Sequence, residues 1–288
     1  MRIVAFKRKD GPALAVRQGQ DLIDLTVAAP KLPRELAGLL ATKGGLLAAR
    51  TAAKSAKAKA LVKGKITYLP TVMAPPKIFC VGLNFVDHAA ESPYKNAPTY
   101  PVLFNRFTST LIGHGAPLIR PLCSEQFDYE GELVVVIGKR GRHIPKEKAL
   151  SHVAGYSVFN DASIRDFQFK STQWLMGKNF DGTGALGPDF VTADELPPGA
   201  AGLQLKTRLN GQVLQNANTK DMIFDVATLV ATITEGITLE PGDVIVAGTP
   251  AGVGFARKPP VWMKNGDVCE IEIEGVGTLS NPVKDEKA

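Results

Sequence analysis

From residue 77 onward, short Val- and Ile-rich runs alternate with Gly, Pro and Asn, a pattern that leaves little room for long helices. Runs at 77–82, 133–137, 156–160, 203–209, 243–247 and 268–273 have the length and β-branched content of strands. Asn210-Gly211 sits between two such runs, and a type I′ hairpin needs residues that accept positive φ there. Helical spacing is confined to a short stretch at 144–149 and to 223–235, where Ile223, Val226, Ala227, Val230 and Ile233 share a face. The expected class is α+β, mainly β.

Residues 1–70 read as a small N-terminal α+β domain and 71–288 as the larger, catalytic one. Strands at 2–7 and 13–17 flank the turn signal Asp10-Gly11-Pro12, and a third short strand follows at 20–25. The Ala/Leu/Lys-rich stretch 33–59 predicts helix, interrupted at Gly44-Gly45. Residues 69–76 have the Pro-rich composition of a linker.

The formal charge of +6 is concentrated. Residues 43–65 hold Lys43, Arg50, Lys54, Lys57, Lys59, Lys63 and Lys65 and no acidic residue. No aromatic side chain interleaves with them, so this is a solvated face and not a nucleic-acid surface. A content of 44% hydrophobic and 22% charged residues excludes wholesale disorder. Cys80, Cys123 and Cys269 are too far apart for a CxxC metal or redox motif. No apolar run has membrane-spanning length, and the N-terminus lacks the apolar core of a secretion signal. A soluble cytoplasmic protein is expected.

The most informative line is Asp128-Tyr129-Glu130-Gly131-Glu132, which leads into the apolar run 133–137. Strand side chains alternate, so Glu130 and Glu132 point to one face, roughly 6–7 Å apart along the chain. Two like charges so placed repel unless a cation lies between them. Gly131 leaves the other face open to a close neighbour. Asp161 ends the next strand candidate and offers a third carboxylate. Three hard oxygen ligands suit Mg²⁺ or Mn²⁺, and Ca²⁺ would also be accepted, whereas zinc would call for His or Cys. Taken alone, an edge of solvated carboxylates explains the same residues equally well.

Two further stretches carry candidate chemistry. On a helix beginning near Phe85, His88 and Glu91 at i and i+3 share a face, and a carboxylate beside a histidine makes a general base. Lys178 opens a Gly-rich stretch that is not a P-loop, since no GK[ST] follows. It is either an oxyanion partner or a solvated loop lysine. Gly248-Thr249-Pro250-Ala251-Gly252 presents backbone N–H groups and a hydroxyl, or is simply a tight turn.

Five stretches in order resemble the fumarylacetoacetate hydrolase family. They are Gly82-Leu83-Asn84-Phe85 with His88 and Glu91, Tyr129-Glu130-Gly131-Glu132-Leu133, Asn160-Asp161 through Asp166, Gly177-Lys178-Asn179-Phe180, and 248–254. The resemblance implies a fumarylacetoacetase-type mixed β-sheet roll and a homodimer. It implies Mg²⁺ or Mn²⁺ on Glu130, Glu132 and Asp161, a water-activating His88–Glu91 pair, and Lys178 as the partner of a developing enolate. It further implies Arg106, Arg165, Gln168 and Thr249 as contacts to a small anionic oxo acid. Trp174-Leu175-Met176 departs from what the resemblance explains.

The expected activity is metal-dependent hydrolysis of a C–C bond in a 2-oxo or 2,4-dioxo acid of the acylpyruvate kind, through a metal-bound enolate. Isomerisation or decarboxylation of an oxo-dienedioate, as in aromatic-acid catabolism, passes through the same enolate. A non-catalytic metabolite-binding protein is the alternative of another class. Residues 92–100 and 168–176 are where substrate selection is expected.

Overall fold

The computed structural model describes residues 1–91 and 97–287. The buried run Gly131–Ile137 forms a strand shielded on both faces, as an uninterrupted apolar run requires. It lies inside a ten-stranded mixed sheet. From one edge the order runs Asp21–Asp24, Gly11–Gln18, Arg2–Arg8, Gly184–Thr192, Val153–Asp161, Gly131–Ile137, Val244–Val246, Ile78–Gly82 and Val102–Asn105. The short Leu111–Ile112 pairs beside Gly184–Thr192. A five-stranded sheet, Gln212–Asn218, Gln204–Leu209, Val268–Ile273, Gly277–Asp285 and Leu118–Arg120, packs against the first.

The class is α+β with strands dominant, as the sequence predicts, and every strand run read from it forms. Asn210 and Gly211 both adopt positive φ at the hairpin between Gln204–Leu209 and Gln212–Asn218. Helices Leu36–Ala41 and Gly45–Lys54 are separated at the predicted glycines. Helix Val226–Thr234 starts later than its apolar pattern, because the Asp225 side chain accepts from Thr228 N and caps it there.

The three N-terminal strands do not stand apart from the larger sheet: Arg2–Arg8 pairs antiparallel with Gly184–Thr192. Arg17 reaches across that seam to the nearly buried Asp189 with bonds of 2.8–3.1 Å. Strand Gly184–Thr192 is absent from the sequence reading, since Gly184, Gly187 and Pro188 hide its pattern. Its start is crowded: a methyl at Gly184 would lie 2.9 Å from the Phe159 ring. No helix among the described residues is long and apolar enough to cross a membrane.

Candidate active site

Sheet register assembles the carboxylates. Phe159 faces Glu132, Asn160 faces Gly131, and Asp161 N donates to Glu130 O at 2.9 Å. Glu130, Glu132 and Asp161 therefore meet, all buried, with ligand oxygens within 4.8 Å of one another. Gly131 supplies the room behind them. A methyl there would strike the Thr207 hydroxyl of the second sheet, and Gly131 N instead donates to Gln215 Oε1 at 2.9 Å. The bare face expected of Gly131 is where the two sheets close.

The carboxylates are not equally compensated. Lys178 Nζ donates to Glu130 Oε2 and Asp161 Oδ2, each at 2.7 Å. Arg165 Nη2 lies 2.6 Å from Glu130 Oε1, while Arg165 Nε holds Asp128 Oδ2 at 2.8 Å. Arg106 is paired with Asp161. Among the described residues Glu132 makes no ion pair and accepts from Gly248 N at 2.6 Å. Burial pushes the Glu132 carboxyl well above the usual range, and the Asp161 and Glu130 charges push it further. Burial raises Glu130 too, but the Lys178 and Arg165 cations outweigh it and hold that carboxyl low. Burial alone would lower the Lys178 ammonium, yet Asp161 and Glu130 reverse this and keep it charged.

Among the described residues, Asp128, Glu130, Glu132 and Asp161 face Lys178, Arg165 and Arg106, one formal negative charge in excess, and Glu132 is the carboxylate without an ion pair. A divalent ion on Glu130, Glu132 and Asp161 fits that deficit, and hard oxygen donors fit Mg²⁺ or Mn²⁺. With such an ion the floor carries a net positive charge, which suits an anionic substrate.

A narrow pocket opens onto this floor. Only about 40 Å³ of it admits the centre of a water molecule. Glu130, Glu132, Lys178, Arg165, His88, Thr249, Glu91 and Gln168 are among the polar residues that line it. Lys178 is 2% exposed on the short helix Leu175–Lys178, so a solvated loop lysine is excluded. A methyl at Gly177 would strike the backbone of Gln168, and this close approach seats the lysine. Arg165 Nη1 donates to Gln168 Oε1 at 2.8 Å. Arg165 lines the pocket, and its Nη2, although beside Glu130, is buried without a hydrogen bond of good geometry among the described residues. The Thr249 hydroxyl donates to Gly131 O at 3.1 Å and accepts from Gln215 Nε2 at 2.8 Å, which leaves it little freedom.

Helix Val86–Glu91 carries the His–Glu pair, with His88 Nδ1 and Glu91 Oε1 2.9 Å apart. Glu91 also accepts from Gly252 N at 3.0 and 3.1 Å. If Nδ1 carries the proton toward Glu91, Nε2 is left as the proton acceptor.

Arg106 departs from the expectation of a substrate contact. Its guanidinium is spent on Asp161, Ala162 O, Thr110 and Thr183, and it does not border the pocket. It braces the carboxylate from behind. Three further residues support the site without having been assigned a role from the sequence; Asn84 and Tyr129 lie in the resembling stretches, and Arg257 carries no signal. Asn84 clamps the turn before helix Val86–Glu91, donating to Ala247 O at 2.7 Å and Phe224 O at 3.0 Å. Tyr129 and Arg257 both donate to Gly252 O, at 3.0 and 3.2 Å, and so fix the peptide that holds Glu91. Of the stretches expected to select substrate, 92–96 lies outside the described residues, whereas Gln168, Phe169 and Trp174 line the pocket.

The model of the fumarylacetoacetate hydrolase C-terminal domain matches residues 77–284, which span the whole site. The chain belongs to the fumarylacetoacetate hydrolase family. It is 40% identical to the mitochondrial oxaloacetate tautomerase of Xenopus laevis over 98% of this chain and 90% of that one. Among solved structures it is similar to the fumarylacetoacetate hydrolase of Exiguobacterium antarcticum, with 34% identity, a TM-score of 0.85, and 99% and 100% of the two chains covered. It is also similar to the maleylpyruvate hydrolase of Sphingobium sp. SYK-6, solved with manganese(II) and pyruvate, with 26% identity, a TM-score of 0.81 and full coverage of both chains. The family contains tautomerases and hydrolases, so membership makes this an enzyme without choosing the reaction.

Proposed function

We propose that this enzyme interconverts the keto and enol forms of a small 2-oxo dicarboxylic acid of the oxaloacetate class, with a divalent ion on Glu130, Glu132 and Asp161. The observation carrying this reading is one narrow pocket that joins a buried cluster of carboxylates, a buried ammonium and a His–Glu pair. The similarity to an oxaloacetate tautomerase over almost the whole chain supports it.

A divalent ion, when bound, supplies Lewis-acid polarisation of a keto oxygen. The remaining work falls to the chain. Arg165 and Lys178 line the pocket and attract the anionic substrate. His88, oriented by Glu91, takes the proton from the carbon next to the keto group. The same proton, returned to the oxygen, completes the enol, so no atom enters or leaves. Lys178 places positive charge where oxygen gains electron density.

Hydrolysis of a C–C bond, the first expectation from the sequence, is the second reading. The His88–Glu91 pair favours it, because the same base would activate water. An assay with Mn²⁺ separates the two. Faster equilibration of enol- and keto-oxaloacetate without fragments or CO₂ is expected, together with loss of activity and of Mn²⁺ binding in Glu132→Ala. Cleavage of acylpyruvates without tautomerisation would replace the first reading by the second. Release of CO₂ alone would point to decarboxylation, and Mn²⁺ binding unchanged in Glu132→Ala would remove the metal site. Homodimerisation belongs to the same family-based reading, and light scattering tests it.

A further inference from the structure

The wall of the pocket is aromatic. Phe104, Phe169, Trp174 and Phe255 line the cavity onto which Glu130, Glu132 and Lys178 open. Phe104 meets Trp174 edge-on at 5.6 Å, and Phe169 meets Phe255 at 5.2 Å. Phe104 also lies 5.1 Å from Lys178 Nζ. A chain of contacts thus leads from the ammonium to Phe104 and on to Trp174.

Trp174 is held there by the backbone. It caps the helix Leu175–Lys178 and precedes Lys178 by one turn, so both side chains can face the same space. Its six-membered ring lies over Gly82, where an added methyl would overlap it. Gly177, in the same helix, is pressed against Gln168 with no room for a methyl. Gly82 thus backs the indole on one side, and Gly177 anchors the helix that follows it. A large ring held in the wall of a narrow cavity limits how long a bound molecule can be.

We propose that Trp174, seated on Gly82, sets the length limit of the substrate and restricts the site to 2-oxo acids with a short distal group. This deepens the function proposed above and rests on its placement of a 2-oxo acid at the carboxylate floor. An oxaloacetate-sized acid fits the limit, and a longer oxo-dienedioate does not. Trp174 is thereby a specificity-determining residue, and it takes no part in the proton transfer.

The test measures binding as well as turnover. The full chain is loaded with Mn²⁺ and titrated calorimetrically with pyruvate, 2-oxobutanoate, 2-oxopentanoate and 2-oxohexanoate. The wild type should lose at least about tenfold in affinity from the shortest to the longest, the factor that 1.4 kcal/mol represents. Trp174→Phe should flatten that dependence. Trp174→Ala should reverse it, with gains of up to about fourfold per added methylene as apolar surface finds room. Mn²⁺ affinity and melting temperature report whether each variant is folded, and Trp174→Phe carries the test if the alanine variant is not.

The same length dependence in wild type and Trp174→Phe overturns the proposal, as does a wild type that binds the longest acid best. If oxaloacetate is not tautomerised but the length series still shifts with residue 174, the function fails and the length limit stands. If tautomerisation is confirmed and the series does not shift, the limit fails alone. No binding of any 2-oxo acid by the Mn²⁺-loaded wild type overturns both.

Discussion

Two regions of the molecule gather charge and treat it oppositely. At the pocket floor Glu130, Glu132, Asp161, Arg165 and Lys178 are all at most 4% exposed, and most of their charge is matched at 2.6–2.8 Å. Along helix Gly45–Lys54 and the segment after it, Lys43, Lys54, Lys57, Lys59, Lys63 and Lys65 are exposed, and none is in an ion pair among the described residues. Water handles the second group at almost no energetic consequence. The first has no water to spare, so each group depends on its neighbours, and a missing partner is felt strongly. The excess positive charge of the sequence therefore says little about the chemistry, whereas the slight negative excess at the floor says a great deal.

The largest effect that would sharpen this contrast is on turnover. His88→Ala should lower kcat by on the order of 10²–10⁴ while Mn²⁺ binding is retained, because a general base is lost and the carboxylates are untouched. Steady-state kinetics beside a Mn²⁺ titration checks both halves. A normal kcat would remove His88 from the chemistry.

Next comes stability of the floor itself. Lys178→Ala leaves Glu130 and Asp161 short of a cation and should destabilise the metal-free protein by about 3–5 kcal/mol. Added Mn²⁺ should recover part of this, since it binds the folded state. Urea unfolding with and without Mn²⁺ measures the difference. No recovery would mean that the ion does not sit among these carboxylates.

The seam between the N-terminal strands and the rest of the sheet lies between the extremes. Arg17→Ala strips the nearly buried Asp189 of its bidentate partner and should cost about 1–3 kcal/mol. An effect near zero would mean that Arg2, 3.6 Å from the same carboxylate, replaces it.

The smallest effect belongs to the exposed pair Arg50–Asp194 at 2.6 Å. Arg50→Ala should change stability by about 0–1 kcal/mol, and less in high salt. A hydrogen bond from the Thr192 hydroxyl, then the Arg50 guanidinium, lowers the Asp194 carboxyl below its ordinary range. Its contribution is therefore complete above the unfolded value of about 3.9 and fades as pH falls below it. The melting-temperature gap between wild type and Asp194→Asn should shrink on acidification. A gap that widens instead would reverse the assigned sign.

Much of the candidate site was legible because it is local. Alternation along a strand puts Glu130 and Glu132 on one face, and helical spacing pairs His88 with Glu91. Asn210-Gly211 turns as its chemistry dictates. Strand Gly184–Thr192 was not legible, because its glycines answer to Phe159 and to other neighbours distant in sequence. Arg106 illustrates the same limit: its residue type suits a substrate carboxylate, but Asp161 and Thr183 claim it first.

The sequence by itself determined the strand-dominated class, the carboxylates that face together and the residues able to carry acid–base chemistry. Those properties follow from side-chain periodicity over a few residues. Only the tertiary structure decided which carboxylates are ion-paired, how Tyr129 and Arg257 secure Gly252 beside Glu91, and that Trp174 rests on Gly82. These depend on packing between segments tens to more than a hundred residues apart, where a single methyl or one donated hydrogen bond settles the arrangement, and no local pattern records such contacts.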